Sequence, residues 1–207
     1  MADAGIPDGV SMVAVPVGSG TTRGRLHGCA GDGAILWVFG SGGGLGGPAG
    51  GVYDRLGEQL RPRGITSLEL DYRRAGRLRD CVEDVLAGIT WLGARGKTRV
   101  VLVGHSFGGA VVISAAARAT QVIAVAAHSS QTSGTGDVAA LAGRPLLVAH
   151  GEADEILPAA CGHDIFARAA EPKRLILYPG CRHGLDACRD ALDRDLTGWL
   201  EGVLHLD

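Results

Sequence analysis

A serine set between two glycines is the feature of this sequence that points most directly to chemistry. Residues 100–109 read VVLVGHSFGG, so that Ser106 lies between Gly104 and Gly108 in the pattern G-x-S-x-G. A β-branched run suited to a strand precedes the pattern, and small residues suited to a helix follow it. A tight strand-to-helix turn lifts a serine hydroxyl to a helix N-terminus, where negative charge is stabilised. The motif therefore predicts a nucleophilic serine.

A serine hydroxyl attacks only when a base accepts its proton, and a carboxylate orients that base. We expect His183 to be the base because it follows the last predicted strand, in a loop over the carboxyl edge of the sheet. Asp154 follows the preceding predicted strand and is the expected acid. Three neighbouring carboxylates remain open as alternatives for that acid: Glu152, Glu155 and Asp137.

The remaining histidines are assigned mainly to structural positions. His105 lies inside the serine turn and should point away from the nucleophile. His150 ends a buried strand and is interpreted as a hydrogen-bonded core residue, whereas a place in the substrate pocket stays open for His128. Surface positions are expected for the other three, His27, His163 and His205.

A glycine-rich segment, VFGSGGGLGGPAGG at residues 38–51, allows tight turns and a close approach of the backbone to a ligand. Gly42, Gly44 and Gly47 fit the G-x-G-x-x-G of dinucleotide-binding loops, and Asp71 lies near the end of the next predicted strand, where such loops place an acidic residue. The alternative ligand is the oxyanion of acyl transfer. This second interpretation is favoured because the first leaves the serine, acid and histidine unexplained.

Strand-like and helix-like segments alternate from residue 34 onward, which predicts a mostly parallel, doubly wound sheet with helices on both faces. The expected strands are 34–40, 65–72, 99–104, 122–129, 145–151 and 173–180. The expected helices are 48–64, 78–95, 108–119, 158–170 and 185–204. Segments 11–17 and 22–29 predict an N-terminal antiparallel hairpin, and residues 130–144 are too few for a lid domain.

Composition predicts one globular domain over residues 1–207, with 46% hydrophobic residues and a formal charge of −2. That charge gives no basic surface for nucleic acid, no apolar run is long enough for a membrane span, and the first residues lack the layout of a signal peptide. The five cysteines are scattered and contain no C-x-x-C. We expect reduced thiols in a cytoplasmic protein, with neither a zinc site nor a disulfide framework.

These motifs resemble those of the α/β-hydrolase superfamily, in particular its small lidless branch of dienelactone hydrolase-like and short-chain serine esterases. GHSFGG, HGEADEILP and YPGCRHGL are similar to the nucleophile, acid and histidine segments, and LDYRR is similar to the strand end before the second helix. There are two departures: dienelactone hydrolases carry a cysteine where this chain has Ser106, and Phe39-Gly40 replaces the usual His-Gly.

The resemblance implies about seven or eight strands, no cap domain, and an oxyanion hole formed by the amide of Phe107 with that of Ser41 or Gly42. It also implies a serine hydrolase that cleaves a small ester, thioester or lactone through an acyl-serine, with no cofactor or metal. The partner would be a small-molecule substrate. A non-hydrolytic lyase, cyclase or receptor of the same fold is the alternative. Four polar residues are expected to rim the open site: Arg73, Arg74, His128 and Ser129.

Overall fold

Eight strands form one sheet in a computed structural model that describes residues 5–206. The strands are β1 Gly9–Val17, β2 Gly20–Gly28, β3 Gly33–Val38, β4 Thr66–Leu70, β5 Arg99–His105, β6 Val122–His128, β7 Leu146–Gly151 and β8 Lys173–Tyr178. Their order across the sheet is β1-β2-β4-β3-β5-β6-β7-β8. The pairs β1–β2 and β2–β4 at one end of the sheet are antiparallel. All pairs from β4 to β8 in the sheet order are parallel. The predicted architecture is confirmed.

Two layers of helices cover the sheet. The helices are α1 Pro48–Leu60, α2 Leu78–Gly93, α3 Phe107–Ala116, α4 Ala160–Arg168 and α5 Arg189–Leu204. Apolar side chains of α1 and α5 pack on one face of the sheet, and those of α2, α3 and α4 pack on the other. No cap covers the carboxyl edge in residues 5–206, since the connection from β6 to β7 contains only a 3₁₀ segment, Gly136–Leu141.

The sequence explains which elements lie at the centre. Every residue of β3, β4 and β7 is buried, as expected of parallel strands covered on both faces. In β1, exposed and half-buried residues alternate, because this strand lies at the edge of the sheet. Helix α3 is buried along almost its whole length, and its small residues permit close packing on the sheet.

Two helices begin less regularly than the sequence predicted, although α1 starts at Pro48 as expected. Helix α1 opens with a left-handed turn, in which the φ angles of Ala49, Gly50 and Gly51 are 52°, 61° and 92°. The glycines make that turn accessible, and regular helix begins after it. The predicted start of the last helix at residue 185 is wrong, because Leu185 has a φ of 60° and a 3₁₀ segment, Asp186–Cys188, comes before α5.

Two further expectations from the sequence are corrected. His27 is fully buried rather than at the surface, because it lies on β2 beneath α1 and contacts Asp54. Cys181 and Cys188 are paired as a disulfide with their Cα atoms 6.1 Å apart, so the expectation of reduced thiols throughout is wrong for this pair. A sequence separation of 7 gave no motif that would have indicated the pairing.

Among the helices of residues 5–206, none combines the length and apolar character that crossing a bilayer requires.

Candidate active site

Ser106 occupies a strained turn between β5 and α3. Its φ of 58° and ψ of −123° are uncommon for a residue with a side chain, and strain of this kind is typical of a nucleophile elbow. The turn needs glycine on both sides. A Cβ at Gly104 would collide with the Gly108 carbonyl, and one at Gly108 would collide with the carbonyl of Phe39. The Ser106 amide donates to the carbonyl of His128, which fixes the turn to the end of β6.

The structure brings the three predicted residues into one hydrogen-bonded line. Nε2 of His183 lies 3.0 Å from the Ser106 hydroxyl oxygen, and its Nδ1 lies 2.8 Å from Oδ2 of Asp154. The three residues come from loops after β5, β7 and β8, so parallel strands deliver all of them to the same edge. At 3.0 Å the imidazole is within reach of the hydroxyl proton.

Asp154 is held as a carboxylate. Burial alone would raise its pKa, but hydrogen bonds from the amide of Leu157, the ring of His183 and the amide of Ile156 outweigh burial, and the pKa lies below its usual value. The amides of Ile156 and Leu157 donate to Oδ1 at 2.9 Å and 2.8 Å, which leaves Oδ2 for the imidazole. His150 is buried as expected, and its Nε2 lies 2.9 Å from the Leu157 carbonyl and 3.3 Å from Oδ2 of Asp154.

None of the three alternative acids contacts the imidazole of His183 in the described structure. Glu155 accepts the main-chain amide of His183 at 3.2 Å and pairs with Arg182. Glu152 and Asp137 are exposed. Glu155 therefore supports the loop that carries the histidine.

The main chain around His183 is anchored from several sides. The ring of His105 donates from Nε2 to the His183 carbonyl at 2.9 Å, and the amide of Ala49 donates to the Gly184 carbonyl at 2.7 Å. Burial lowers the pKa of His105 to about 4, so this ring is neutral near pH 7. The disulfide closes the same loop, because Cys181 and Cys188 flank it.

The glycine-rich segment passes close to the nucleophile. A Cβ at Gly40 would lie 3.6 Å from the Ser106 Cβ and 3.9 Å from its Oγ. Within residues 5–206, no hydrogen bond uses the amides of Ser41 or Gly42. The amide of Phe107 begins α3 and has no intrahelical acceptor. The oxyanion-hole role expected for these three amides stays a prediction.

The same segment is poorly suited to a phosphate. Asp71 accepts the Gly44 amide at 2.8 Å, and Glu69 accepts the Gly46 amide at 2.5 Å. Two of the amides that a dinucleotide pyrophosphate would need are therefore bound to carboxylates, whose charge repels phosphate.

The polar rim predicted from the sequence is largely wrong. Arg73 is committed to the buried carboxylate of Asp84 on α2, which needs a counter-charge. His128 and Ser129 are fully buried, because the sheet continues to the end of β6. Arg74 is exposed and lies 3.5 Å from Asp80.

One group of metal-ligand types occurs among the described residues. Ligand atoms of His27, Asp54 and Glu69 lie within 4.8 Å of one another. The Arg25 guanidinium lies 2.5 Å from Oδ1 of Asp54 and 3.5 Å from Oε1 of Glu69. The positive charge of Arg25 between the two carboxylates disfavours binding of a metal ion there. We therefore interpret the group as an ion-pair network.

A mostly parallel eight-stranded sheet with an elbow serine at its carboxyl edge is an α/β-hydrolase fold. The sequence model of the dienelactone hydrolase family matches residues 50–195, and the chain belongs to that family. Family membership supports a hydrolase. The uncharacterized protein YfhR of Escherichia coli (strain K12) is 31% identical over 115 residues, which cover 44% of this chain and 40% of YfhR. The chain thus matches only about two fifths of that relative's length.

Solved structures share the fold along nearly their whole length. A dienelactone hydrolase from Anabaena variabilis ATCC 29413 aligns with a TM-score of 0.78 and 20% identity, covering 93% of this chain and 97% of that one. The esterase domain of a Rhodothermus marinus protein aligns with a TM-score of 0.75 and 20% identity, covering 92% and 97%. Est1E from Butyrivibrio proteoclasticus with bound ferulic acid aligns with a TM-score of 0.79 and 14% identity, covering 93% and 99%.

Proposed function

We propose that this protein is a serine hydrolase that cleaves a small ester, thioester or lactone through an acyl-serine intermediate. The observation that carries the proposal is the position of His183, whose two ring nitrogens contact the Ser106 hydroxyl and the Asp154 carboxylate at 3.0 Å and 2.8 Å. This arrangement supports proton transfer from the nucleophile to a base that a carboxylate keeps in the correct tautomer.

In the proposed first half-reaction, Oγ of Ser106 attacks the substrate carbonyl carbon while its proton passes to Nε2 of His183. The carbonyl π electrons move to oxygen, and the amide of Phe107 with that of Ser41 or Gly42 stabilises the resulting oxyanion. Asp154 stabilises the imidazolium. When the tetrahedral intermediate collapses, His183 gives its proton to the leaving alcohol, thiol or ring oxygen, and an acyl-serine remains.

In the second half-reaction, His183 removes a proton from water, whose oxygen attacks the acyl carbon. Collapse of this second intermediate returns the proton to Oγ of Ser106 and releases the carboxylic acid. Removal of one oxyanion donor costs about 2.7–4 kcal/mol in such reactions, so the rate also depends on correct placement of the free amides.

The cytoplasmic location expected from the sequence stays a prediction. Cys29, Cys81 and Cys161 are unpaired thiols, as expected there. The pair Cys181–Cys188 is more typical of an oxidising compartment.

The proposal is tested with a fluorophosphonate probe and p-nitrophenyl acetate on the wild type and Ser106→Ala. We expect the variant to lose labelling and at least about 10³-fold in kcat, since removal of a catalytic serine has effects of this size or larger. Ser19→Ala, at the exposed β1–β2 turn, is the matched control and should behave like the wild type. Unchanged turnover in a folded Ser106→Ala protein would refute the proposal.

A further inference from the structure

Two carboxylates beside the end of β4 hold the glycine-rich segment in a regular pattern. Glu69 lies on β4, and Asp71 follows it two residues later on the same side of the extended chain. They accept amides that are also two residues apart, since Gly46 donates to Glu69 at 2.5 Å and Gly44 donates to Asp71 at 2.8 Å. The segment is therefore attached through its main-chain amides to carboxylate side chains on β4 and directly after it.

Each carboxylate is itself held in place. The Glu69 side chain is only 1% exposed and lies 3.5 Å from the guanidinium of Arg25. Asp71 also accepts the amide of Tyr72 at 2.8 Å and lies 3.6 Å from Arg23. Hydrogen bonds from amides to ionised carboxylates are roughly twice as strong as neutral ones, so these two acceptors fix the segment firmly.

The backbone at the attachment points and just before them requires glycine. Gly44 and Gly46 have φ angles of 94° and 99°, which turn their amides toward the carboxylates. A Cβ at Gly43 would lie 2.8 Å from Oδ1 of Asp71, so this position must also lack a side chain. Immediately before these residues come Ser41 and Gly42, whose amides remain free.

We infer that Asp71 and Glu69 are positioning residues for the oxyanion hole, an inference that rests on the proposed serine-hydrolase function. They hold the segment so that the free amides of Ser41 and Gly42 face the carbonyl oxygen attacked by Ser106. Neither carboxylate touches the substrate. Their effect is largest when negative charge develops on that oxygen, so their loss lowers kcat and leaves KM nearly unchanged.

The test compares Asp71→Ala and Asp71→Asn with the wild type. Alanine removes the acceptor for the Gly44 amide, and a misplacement of about 1 Å costs up to 10²-fold in rate. We expect a 10- to 100-fold loss in kcat for alanine, as estimated from that effect, and nearly normal kcat for asparagine, whose Oδ1 still accepts the amide. Asp164→Ala, which removes an exposed carboxylate on α4, is the matched control and should leave kcat unchanged.

Two readouts separate positioning from general loosening. A short alkyl trifluoromethyl ketone adds the Ser106 oxygen and forms a tetrahedral oxyanion, so its affinity should fall in Asp71→Ala in proportion to kcat/KM. The pH midpoint of kcat should stay unchanged, because the pair of His183 and Asp154 is untouched. If Asp71→Ala unfolds, Asp71→Val provides the same test, because its side chain also lacks a hydrogen-bond acceptor.

The outcomes are distinct. Normal kcat in folded Asp71→Ala, or a rise in KM alone, would overturn the inference while the proposed function stands. Loss of kcat in Asp71→Asn equal to that in Asp71→Ala would also overturn it, because the acceptor is retained. A wild type that neither reacts with the fluorophosphonate nor turns over esters would overturn both the function and the inference.

Discussion

Hydrogen bonds from two amides and an imidazole keep the Asp154 side chain ionised. The proposed role of His183 as the base depends on that negative charge. Replacement by asparagine keeps the shape but presents an amide that favours the wrong imidazole tautomer. We expect Asp154→Asn to fold and to lose about 10³- to 10⁴-fold in kcat, as in other serine triads. Steady-state kinetics with p-nitrophenyl acetate measures the loss.

The controls for this prediction are the exposed alternatives, Glu152→Gln and Asp137→Asn, which should stay within a few-fold of the wild type. If Asp137→Asn were the disabling change, the acid would belong to the loop after β6 rather than to the loop after β7.

His128 makes stability depend on pH. Burial, with a smaller contribution from the nearby His105, lowers its pKa to about 3. An unfolded histidine titrates near pH 6.5. Between these values the unfolded chain binds the extra proton, so the free energy of unfolding falls as the pH is lowered, by up to about 1.4 kcal/mol per pH unit for this group.

Urea unfolding at pH 7, 6 and 5 tests this contribution. His105, whose pKa is about 4, adds a second proton to the same slope in the wild type. His128→Leu removes one titrating group. The slope of the free energy of unfolding against pH should therefore decrease by an amount that corresponds to at most one proton. An identical slope in the wild type and in His128→Leu would show that His128 does not titrate as described.

Proximity of side chains was predictable where each residue follows a strand end, and it was not predictable where a contact depends on residues distant in the sequence. The candidate nucleophile, acid and base were each predicted from a position after a strand, and the structure brings together Ser106, Asp154 and His183. The ion pair of Arg73 with Asp84 depends on how α2 packs against the strand end, which no local pattern encodes. The burial of His27 beneath α1 likewise follows from tertiary packing.

At the scale of the element, the loop between β8 and α5 is closed by Cys181 and Cys188 around the candidate base. Closing a loop of this length stabilises the native state by about 2–3 kcal/mol in the chain-entropy description. We expect dithiothreitol or Cys188→Ser to lower the thermal midpoint by several degrees and to reduce kcat several-fold, since His183 gains freedom.

The matched control is Cys161→Ser, which removes an unpaired thiol and should respond to dithiothreitol as the wild type does. A wild-type midpoint that dithiothreitol leaves unchanged would contradict a stabilising bridge. The sequence alone did not indicate this bridge, because pairing depends on the path of the loop around residue 183.

Element boundaries were predictable where periodicity is strong. Helix α2 was expected over 78–95 and spans Leu78–Gly93, since its apolar residues recur at helical spacing. Helix α1 begins at Pro48 as predicted, but its first turn was not predictable, because no periodic pattern reveals the left-handed backbone of Ala49, Gly50 and Gly51. That turn directs the Ala49 amide to Gly184, and so joins the glycine-rich segment to the histidine loop.

At the scale of the whole molecule, no cap domain covers the carboxyl edge of the sheet within the described range, 5–206. The connection from β6 to β7 holds a 3₁₀ segment where a lid would be inserted. Three large apolar side chains of the described chain are exposed, Val10, Met12 and Ile156. Val10 and Met12 lie on β1 at the far end of the sheet. Of these three residues, Ile156 alone lies in a loop with a candidate catalytic residue, Asp154.

An open edge of this kind limits the length of acyl chain that gains from binding. Each buried CH₂ contributes about 0.8 kcal/mol, so an enzyme with a deep tunnel gains specificity with every added carbon. Here a chain longer than a few carbons would extend into water. We expect kcat/KM for p-nitrophenyl esters to peak between acetyl and butyryl and to fall by octanoyl. A steady rise through decanoyl would reveal an apolar channel and contradict the small-substrate proposal, whereas activity with thioesters and lactones of the same size would agree with it.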